Sequence, residues 1–529
     1  RNGLNEHMHQ LLMEVAIELT NTQEKISKVQ ISARVGEIAI DEFQDTVYRL
    51  RHRRDRLERR QVNLRGWIAA TDPANVGGYI DVAVGDIPDD GFTLPIPSEP
   101  EDFSSLLNAH ARSLQHAFEI RKNTEKKMND TKEMIRVPYG MTVHGEEEIA
   151  AVLEVLRTST QMGKNVRGME DRVATLFDKP HGIMLNSGSS ANYLGVELMN
   201  LPEGSEVITT ALTFSTTVAP LVRGKLIPSF VDVEEGTYNL DVNKVEEMIT
   251  PKTKAMMIPN LIGNMPDWPK LREIADKHNL ILFEDSADTL GGTINGKSTG
   301  AYTDMSITSF YGSHVINCAG NGGMLCVREN EHMERGKLLR SWGRSSSLFV
   351  ESEAIENRFN VEVDGIPYDS KFIFAEPGYN LEPSEMGAAF GLVQLSKLDH
   401  NISERERNFA EMSDFFKQYE EWFVLPKQLP NSRTGWLALA LTIRANAPFT
   451  RPQMQIFLEK RNIQTRTVFT GNILRQPGFK NVAHKAATAG YPEADKVMRG
   501  GMLLACHHGL TRPMLDHVKE QVTEFFGQF

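Results

Sequence analysis

The chain has 529 residues, 40% of them hydrophobic and 24% charged, with a formal net charge of -12 at pH 7. That balance excludes wholesale disorder and general nucleic-acid binding, and the length calls for two or three domains, not one core. Three cysteines, Cys318, Cys326 and Cys506, suit neither a disulfide framework nor a zinc site; with no long apolar run for a membrane span and no charged start leading into an apolar leader, a reducing cytoplasm is expected.

In chain order, Met8, Leu11, Val15 and Leu19 recur at helical spacing, as do Phe43, Val47, Leu50 and Leu57, which predicts two amphipathic helices. The second carries an arginine run, Arg49, Arg51, Arg53, Arg54, Arg56, Arg59 and Arg60, interleaved with Asp55 and Glu58. Such a run reads as a solvated face, or as a grip on phosphates or an acidic partner. Residues 71–102 have the Gly, Pro and Asp density of a loop, and Leu107, Leu114 and Phe118 return to helical periodicity. The expected first unit is therefore helical and spans residues 1–137.

From Met141 the texture changes to alternating β and α. Short apolar runs stand at "GIML", "EVITT", "SFVDV", "KAMMIP", "LILFED", "MSITSF" and "GGMLCV", mostly separated by enough residues for crossover helices. This predicts a large α/β domain with a mainly parallel mixed sheet over 138–400. A smaller α+β domain is expected over 401–529. Ligands of such sheets gather at the carboxyl ends of the strands, so the residues just after each run are the candidates.

Directly after "GIML" comes "NSGSSAN", Asn186 to Asn192, a small-residue turn into a helix that suits a phosphate or simply close packing. The run "LILFEDSADTLGG" ends with Glu284, Asp285 and Asp288. An Asp at a strand end can hold the protonated nitrogen of a pyridine ring, or serve as an ordinary turn or cap residue. Phe214 in "TALTFSTT" can cover such a ring or pack within its loop, and Ser309 offers a hydroxyl toward the same anion.

The order "NSGSSAN", "TFSTT", "FVDV", "EDSAD", "SFYGSH", "GYNLEPSEMGAAFGLVQLSKLD" and "TRTVFTGNILRQPGF" resembles the pyridoxal-phosphate-dependent sugar aminotransferase family, from Gly140 to Phe529. The resemblance implies the type I aminotransferase fold, with 138–400 holding the cofactor. It also implies that Gly188, Ser189, Ser190 and Ser309 bind the cofactor phosphate, with Asp285 on the pyridine nitrogen, Asp288 in the cofactor site and Phe214 stacked on the ring. Asn380 in "GYN" is implied to reach the phosphate of a neighbouring subunit, hence a homodimer with shared sites, and Asn472 and Arg475 to lie near the substrate.

Most members of that family carry a lysine five residues after the Ser of "SF", which forms the Schiff base with the cofactor. Here that position is His314. The chain is thereby most similar to nucleotide-sugar 4-keto-6-deoxyhexose 3-dehydratases, which have histidine there. Imidazole forms no stable imine, so the resemblance implies a cofactor held noncovalently as pyridoxal or pyridoxamine phosphate, with His314 as the base for a C3 dehydration. His144, His507 and His508 carry no assigned role.

Two departures stand out. The stretch "SWGRSSSLFVESEAIENRF" has no cysteine where CDP-sugar relatives place a cluster-binding insert, so no iron–sulfur cluster is expected. An amino acid such as glutamate is then the implied donor that regenerates the amine form. In "HVINCAGNGG" the usual acidic residue before the paired glycines is missing and one residue is added. A nucleotide-sugar aminotransferase and a noncatalytic scaffold of the same fold remain alternatives at this point; neither a membrane nor a nucleic acid is expected as a partner.

Overall fold

The computed structural model describes residues 135–349 and 354–529. The predicted N-terminal helices, the arginine run and the loop at 71–102 lie outside them. The described chain begins in the C-terminal region: the Val137 N–H donates to Asn462 C=O at 2.8 Å, and the Val137 side chain is buried with Leu441, Phe449 and Phe525.

Helices α1 (Glu146–Thr158) and α2 (Lys164–Leu176) lead into β1 (His181–Leu185) and α3 (Gly188–Leu198). Then come β2 (Glu206–Thr210), α4 (Ser215–Arg223), β3 (Ile227–Val231), β4 (Thr253–Pro259), α5 (Trp268–His278) and β5 (Ile281–Ser286). After a small hairpin, β6 (Thr293–Ile294) and β7 (Lys297–Ser298), the sheet resumes with β8 (Met305–Ser309) and β9 (Gly323–Val327), followed by α6 (Asn330–Arg340). The seven strands lie in the order β1-β9-β8-β5-β4-β2-β3. The pairs β2–β3, β2–β4, β4–β5 and β5–β8 are parallel, while β9 is antiparallel to both neighbours. The expected mainly parallel mixed sheet is what the chain builds.

Each predicted apolar run became a strand because the sheet is covered on both faces, which demands continuous rather than alternating hydrophobicity. The two faces are read by the two-residue period. Ile183, Leu185, Ala255, Met257, Phe283 and Leu325 enter one core. Met184 and Met324 on one side of the sheet, and Met256, Ile258 and Leu282 further along it, enter the cores of the opposite face. Because β8 and β9 are antiparallel neighbours, no crossover helix is needed between them. Residues 310–322 are therefore free to stand as a loop at the carboxyl end of β8.

Beyond α6 lie α7 (Ile355–Phe359), the hairpin β10 (Val361–Val363) and β11 (Ile366–Tyr368), then α8 (Glu385–Ser396) and the long linking helix α9 (Leu398–Phe416). The C-terminal region contributes β12 (Phe423–Val424), β13 (Ser432–Arg433), β14 (Ala438–Ile443), α10 (Arg451–Glu459), β15 (Arg466–Thr467), α11 (Pro492–Gly500), β16 (Gly501–Ala505) and α12 (Arg512–Phe526). Four of these strands form an antiparallel sheet in the order β12-β14-β16-β15, covered by an aromatic core that includes Phe416, Phe423, Phe449 and Phe525. Strand β13 instead pairs with β6, which joins the two regions.

The "SEMG" of the family-like stretch has a structural use. Ser384 caps α8, accepting from the Gly387 N–H. Glu385 is buried and caps another helix: its carboxylate accepts from the N–H groups of Gly163 (2.8 Å), Asn165 (2.8 Å) and Val166 (3.2 Å) at the start of α2, and from Asn165 Nδ2 (2.9 Å). A negative charge at a helix N-terminus that answers otherwise unpaired donors is doubly favourable. Glu385→Ala should cost roughly 2–4 kcal/mol, seen as a fall in thermal midpoint of about 2–5 °C, and Glu385→Gln about half of that.

Candidate active site

The carboxyl ends of β1, β5 and β8 converge because parallel strands deliver them to one edge, and glycines let the backbones approach. A Cβ on Gly188 would lie 2.6 Å from Ser309 Cβ, and one on Gly323 would lie 2.3 Å from the Ser187 carbonyl atoms. Beside this junction is a cavity of about 620 Å³ whose wall includes Gly188, Ser189, Phe214, Asp285, Asp288, Ser309 and His314.

At one end, Ser187 caps α3: its Oγ accepts from the Ser190 N–H at 3.1 Å. The first-turn N–H groups of Gly188 and Ser189 have no acceptor among the described residues, and they face the cavity with the Ser309 hydroxyl. A helix start with free donors is an anion site.

At the other end, Asp285 is 5% exposed, and no cation pairs with it among the described residues. Its Oδ2 accepts from Asn192 Nδ2 (2.9 Å) and Thr217 Oγ1 (2.8 Å), and its Oδ1 from the Ala287 N–H (3.2 Å). Burial raises its pKa, and the Thr217 and Asn192 bonds oppose the rise. A carboxyl oriented by neutral donors and walled from water suits a protonated ring nitrogen. Phe214 is half-exposed above the space, edge-on to Phe469 with centroids 6.0 Å apart.

His314 is held at Nδ1 by the Ser309 carbonyl at 3.1 Å. A carbonyl only accepts, so Nδ1 carries the proton and Nε2 presents its lone pair. Nε2 lies 3.8 Å from Asp288 Oδ1. Burial pulls the His314 pKa down to about 4 against the pull of the Ser309 carbonyl, so the imidazole is neutral near pH 7 and the Asp288 contact is not an ion pair there. Burial also pushes the Asp288 carboxyl up to about 7, opposed by the Ile262 N–H, which donates to Asp288 Oδ2 at 3.0 Å. Ile262 makes that bond from a left-handed backbone, φ 63°, a costly conformation for a β-branched residue.

Four of the expected residues stand outside the cavity wall. Ser190 turns its hydroxyl back to Asn186 Oδ1 at 2.6 Å. Asn380 is exposed beside Tyr379, with its backbone bridged to Ser341. Asn472 and Arg475, expected near the substrate, are both tied to Asp495: Asn472 Nδ2 reaches Asp495 Oδ1 at 2.8 Å, and Arg475 grips the same carboxylate through Nε at 2.6 Å. The Asp495 carboxylate thus engages Nε and Nη2 of Arg475 and pairs its charge at the surface. The cationic wall residue is instead Arg466, which has no carboxylate partner among the described residues and lies 5.4 Å over the Tyr139 ring.

Sequence reasoning missed Arg466, Tyr139, Asn192, Thr217 and Asn260, all of which line the cavity. Asn192, Thr217 and Arg466 were inside quoted motifs. The available signal was position: Asn192 falls one helical turn after Gly188 and shares its face.

The chain is similar to known proteins over most of its length. A dTDP-4-dehydro-2,6-dideoxy-D-glucose 3-dehydratase of Saccharopolyspora spinosa is 35% identical over 405 residues, covering 74% of this chain and 86% of that protein. The E. coli GDP-4-keto-6-deoxy-D-mannose-3-dehydratase with bound hydrated PLP superposes with a TM-score of 0.67 at 27% identity, over 74% of this chain and all (100%) of the other. A GDP-4-keto-6-deoxymannose-3-dehydratase with a trapped PLP-glutamate geminal diamine gives 0.66 at 26% identity, over 73% and 99%. Residues 142–523 match the DegT/DnrJ/EryC1/StrS aminotransferase family, and the chain belongs to that family.

Proposed function

We propose that the chain is a pyridoxal/pyridoxamine-phosphate-dependent 3-dehydratase of a nucleotide-linked 4-keto-6-deoxyhexose, with His314 Nε2 as the proton-transfer atom. The observation that carries the reading is a largely buried, uncharged imidazole whose Nδ1 is held by the Ser309 carbonyl, in the wall of the cavity that also carries Asp285 and the start of α3. The residues fit the cofactor: the free N–H groups of Gly188 and Ser189 with Ser309 suit its phosphate, the uncompensated Asp285 suits its ring nitrogen, and Phe214 suits its ring face.

When bound in the amine form, the cofactor would supply an amine for the sugar ketone and a ring that holds the electron pair left on carbon when a proton is removed, the pair that is given up again as the C3 hydroxyl leaves. His314 Nε2 takes a proton from carbon and returns it to the leaving oxygen. A base of low basicity gives that proton up readily. The Ser309 carbonyl keeps the ring from turning, and Asp285 stays fixed by Asn192 and Thr217. Arg466, the free cation on the wall, is suited to the diphosphate of the nucleotide sugar.

The sequence has three cysteines, all buried, against the four thiolates of an ordinary cluster, which favours regeneration by an amino acid. The relative with a trapped PLP-glutamate adduct supports glutamate as that donor. A homodimer is part of the proposal, since Phe359, Phe372, Phe374 and Tyr379, in the stretch that leads to Asn380, are at least half exposed and offer apolar surface to a second copy.

With pyridoxamine phosphate and a panel of CDP-, GDP- and dTDP-linked 4-keto sugars, mass spectrometry should show loss of water for one nucleotide class. His314→Asn should lower that turnover by about 10³-fold while cofactor binding persists, and full turnover in the variant refutes the assignment. Arg466→Ala should raise KM roughly tenfold with kcat little changed. Protonation of Nε2 removes the base, so the acid limb of kcat/KM should lie near the His314 value of about 4, not at 6.5. Any limb near 7 belongs to Asp288 and should vanish in Asp288→Asn.

A further inference from the structure

Helix α9 carries a buried polar stripe that the proposed chemistry does not use. Asn401, Arg405 and Asn408 stand at i, i+4 and i+7, one face of the helix, and all three are at most 4% exposed. Asn401 Nδ2 donates to Val315 C=O at 3.0 Å, and Asn408 Nδ2 donates to His507 C=O at 3.0 Å. Arg405 is fully buried and has no carboxylate partner among the described residues. Its Nη2 donates to the carbonyls of Ser313 (3.2 Å) and His314 (3.0 Å), its Nη1 to those of Trp436 (3.0 Å) and Leu437 (3.4 Å), and its Nε to His508 Nδ1 (3.1 Å).

An unpaired buried cation is expensive, and an apolar side chain of similar volume would be the cheaper filling. What a guanidinium alone supplies is a rigid fork that reaches several carbonyls at once. Here the fork joins the His314 loop to the entry of β14 in the C-terminal region.

We propose that Arg405, assisted by Asn401, is the positioning residue of His314: it clamps the carbonyls on either side of the histidine to the small-domain backbone, and so fixes where Nε2 points. This inference rests on the reading of His314 as the proton-transfer residue. The clamp also sets a fixed positive charge behind the imidazole. That charge lowers the His314 pKa, adding to the larger effect of burial. The other groups facing the ring are Asp288, at Nε2, and Tyr311, edge-on at 5.9 Å on the same loop.

The test is an NMR titration of histidine-labelled, cofactor-free full chain, with the His314 signal assigned by its absence in His314→Asn. Arg405→Met should raise the His314 pKa by about one unit and lower kcat about 30-fold, with pyridoxamine phosphate affinity and the substrate KM within about threefold of the parent. Arg405→Lys, which keeps the charge but not the fork, should keep the parent pKa and still lose about tenfold in kcat. Should Arg405→Met not fold, Asn401→Ala, which removes only the Val315 tie, should lower kcat about fivefold at parental cofactor affinity. A folded Arg405→Met with parental His314 pKa and kcat overturns the proposal, as does an Asn401→Ala of parental kcat. Full turnover in His314→Asn instead overturns the reading on which it rests.

Discussion

The site depends on one close approach. Ser187–Gly188 after β1, Ser309 at the end of β8 and Gly323 at the start of β9 occupy space that a single Cβ would fill, at 2.6 Å in one direction and 2.3 Å in the other. With α3 starting at this point, its free N–H groups and the Ser309 hydroxyl share one small volume. The next strand inward, β5, presents Asp285 two residues below that level, since Asp285 pairs in register with Ile307, two residues before Ser309. Sheet register therefore sets the distance between an anion site and a carboxylate before any ligand is present.

The strands were legible for the reason that hides their order. Sheet strands buried on both faces are written as unbroken apolar runs, so "LILFED" and "GGMLCV" announce β5 and β9. Nothing in either run says that β9 is inserted antiparallel between β1 and β8; that follows from hydrogen-bond partners far apart in sequence. The small four-stranded sheet was less legible because two of its strands, Phe423–Val424 and Arg466–Thr467, have only two residues each and show no period.

Site residues divide in the same way. Gly188, Asp285, Ser309 and His314 were singled out because each lies at, or within five residues of, the carboxyl end of a strand run. Motif membership says nothing about pairing: Asp495, twenty residues on, pairs with Arg475, while Arg466 nine residues earlier lines the cavity without a carboxylate partner among the described residues. The groups that orient others, Thr217, Asn192 and Ile262, were invisible because their use is defined by a partner on another element. Arg405 is the extreme case. In "SERERNF" it reads as one charge among several on a solvated helix, yet its partners are five groups on three separate segments.

Burial also explains how a histidine can stand at the position where the family resemblance leads one to expect a lysine. An ammonium in this pocket would face the cost of desolvation and the guanidinium of Arg405 behind it, and no paired carboxylate is placed to neutralise it, since Asp288 is itself pushed toward its neutral form. An imidazole avoids the cost by staying uncharged. The Ser309 carbonyl then chooses its tautomer, which leaves Nε2 as the atom toward the cavity. The same surroundings that would strip a lysine of its proton thus leave the imidazole unprotonated, as the role proposed for His314 requires.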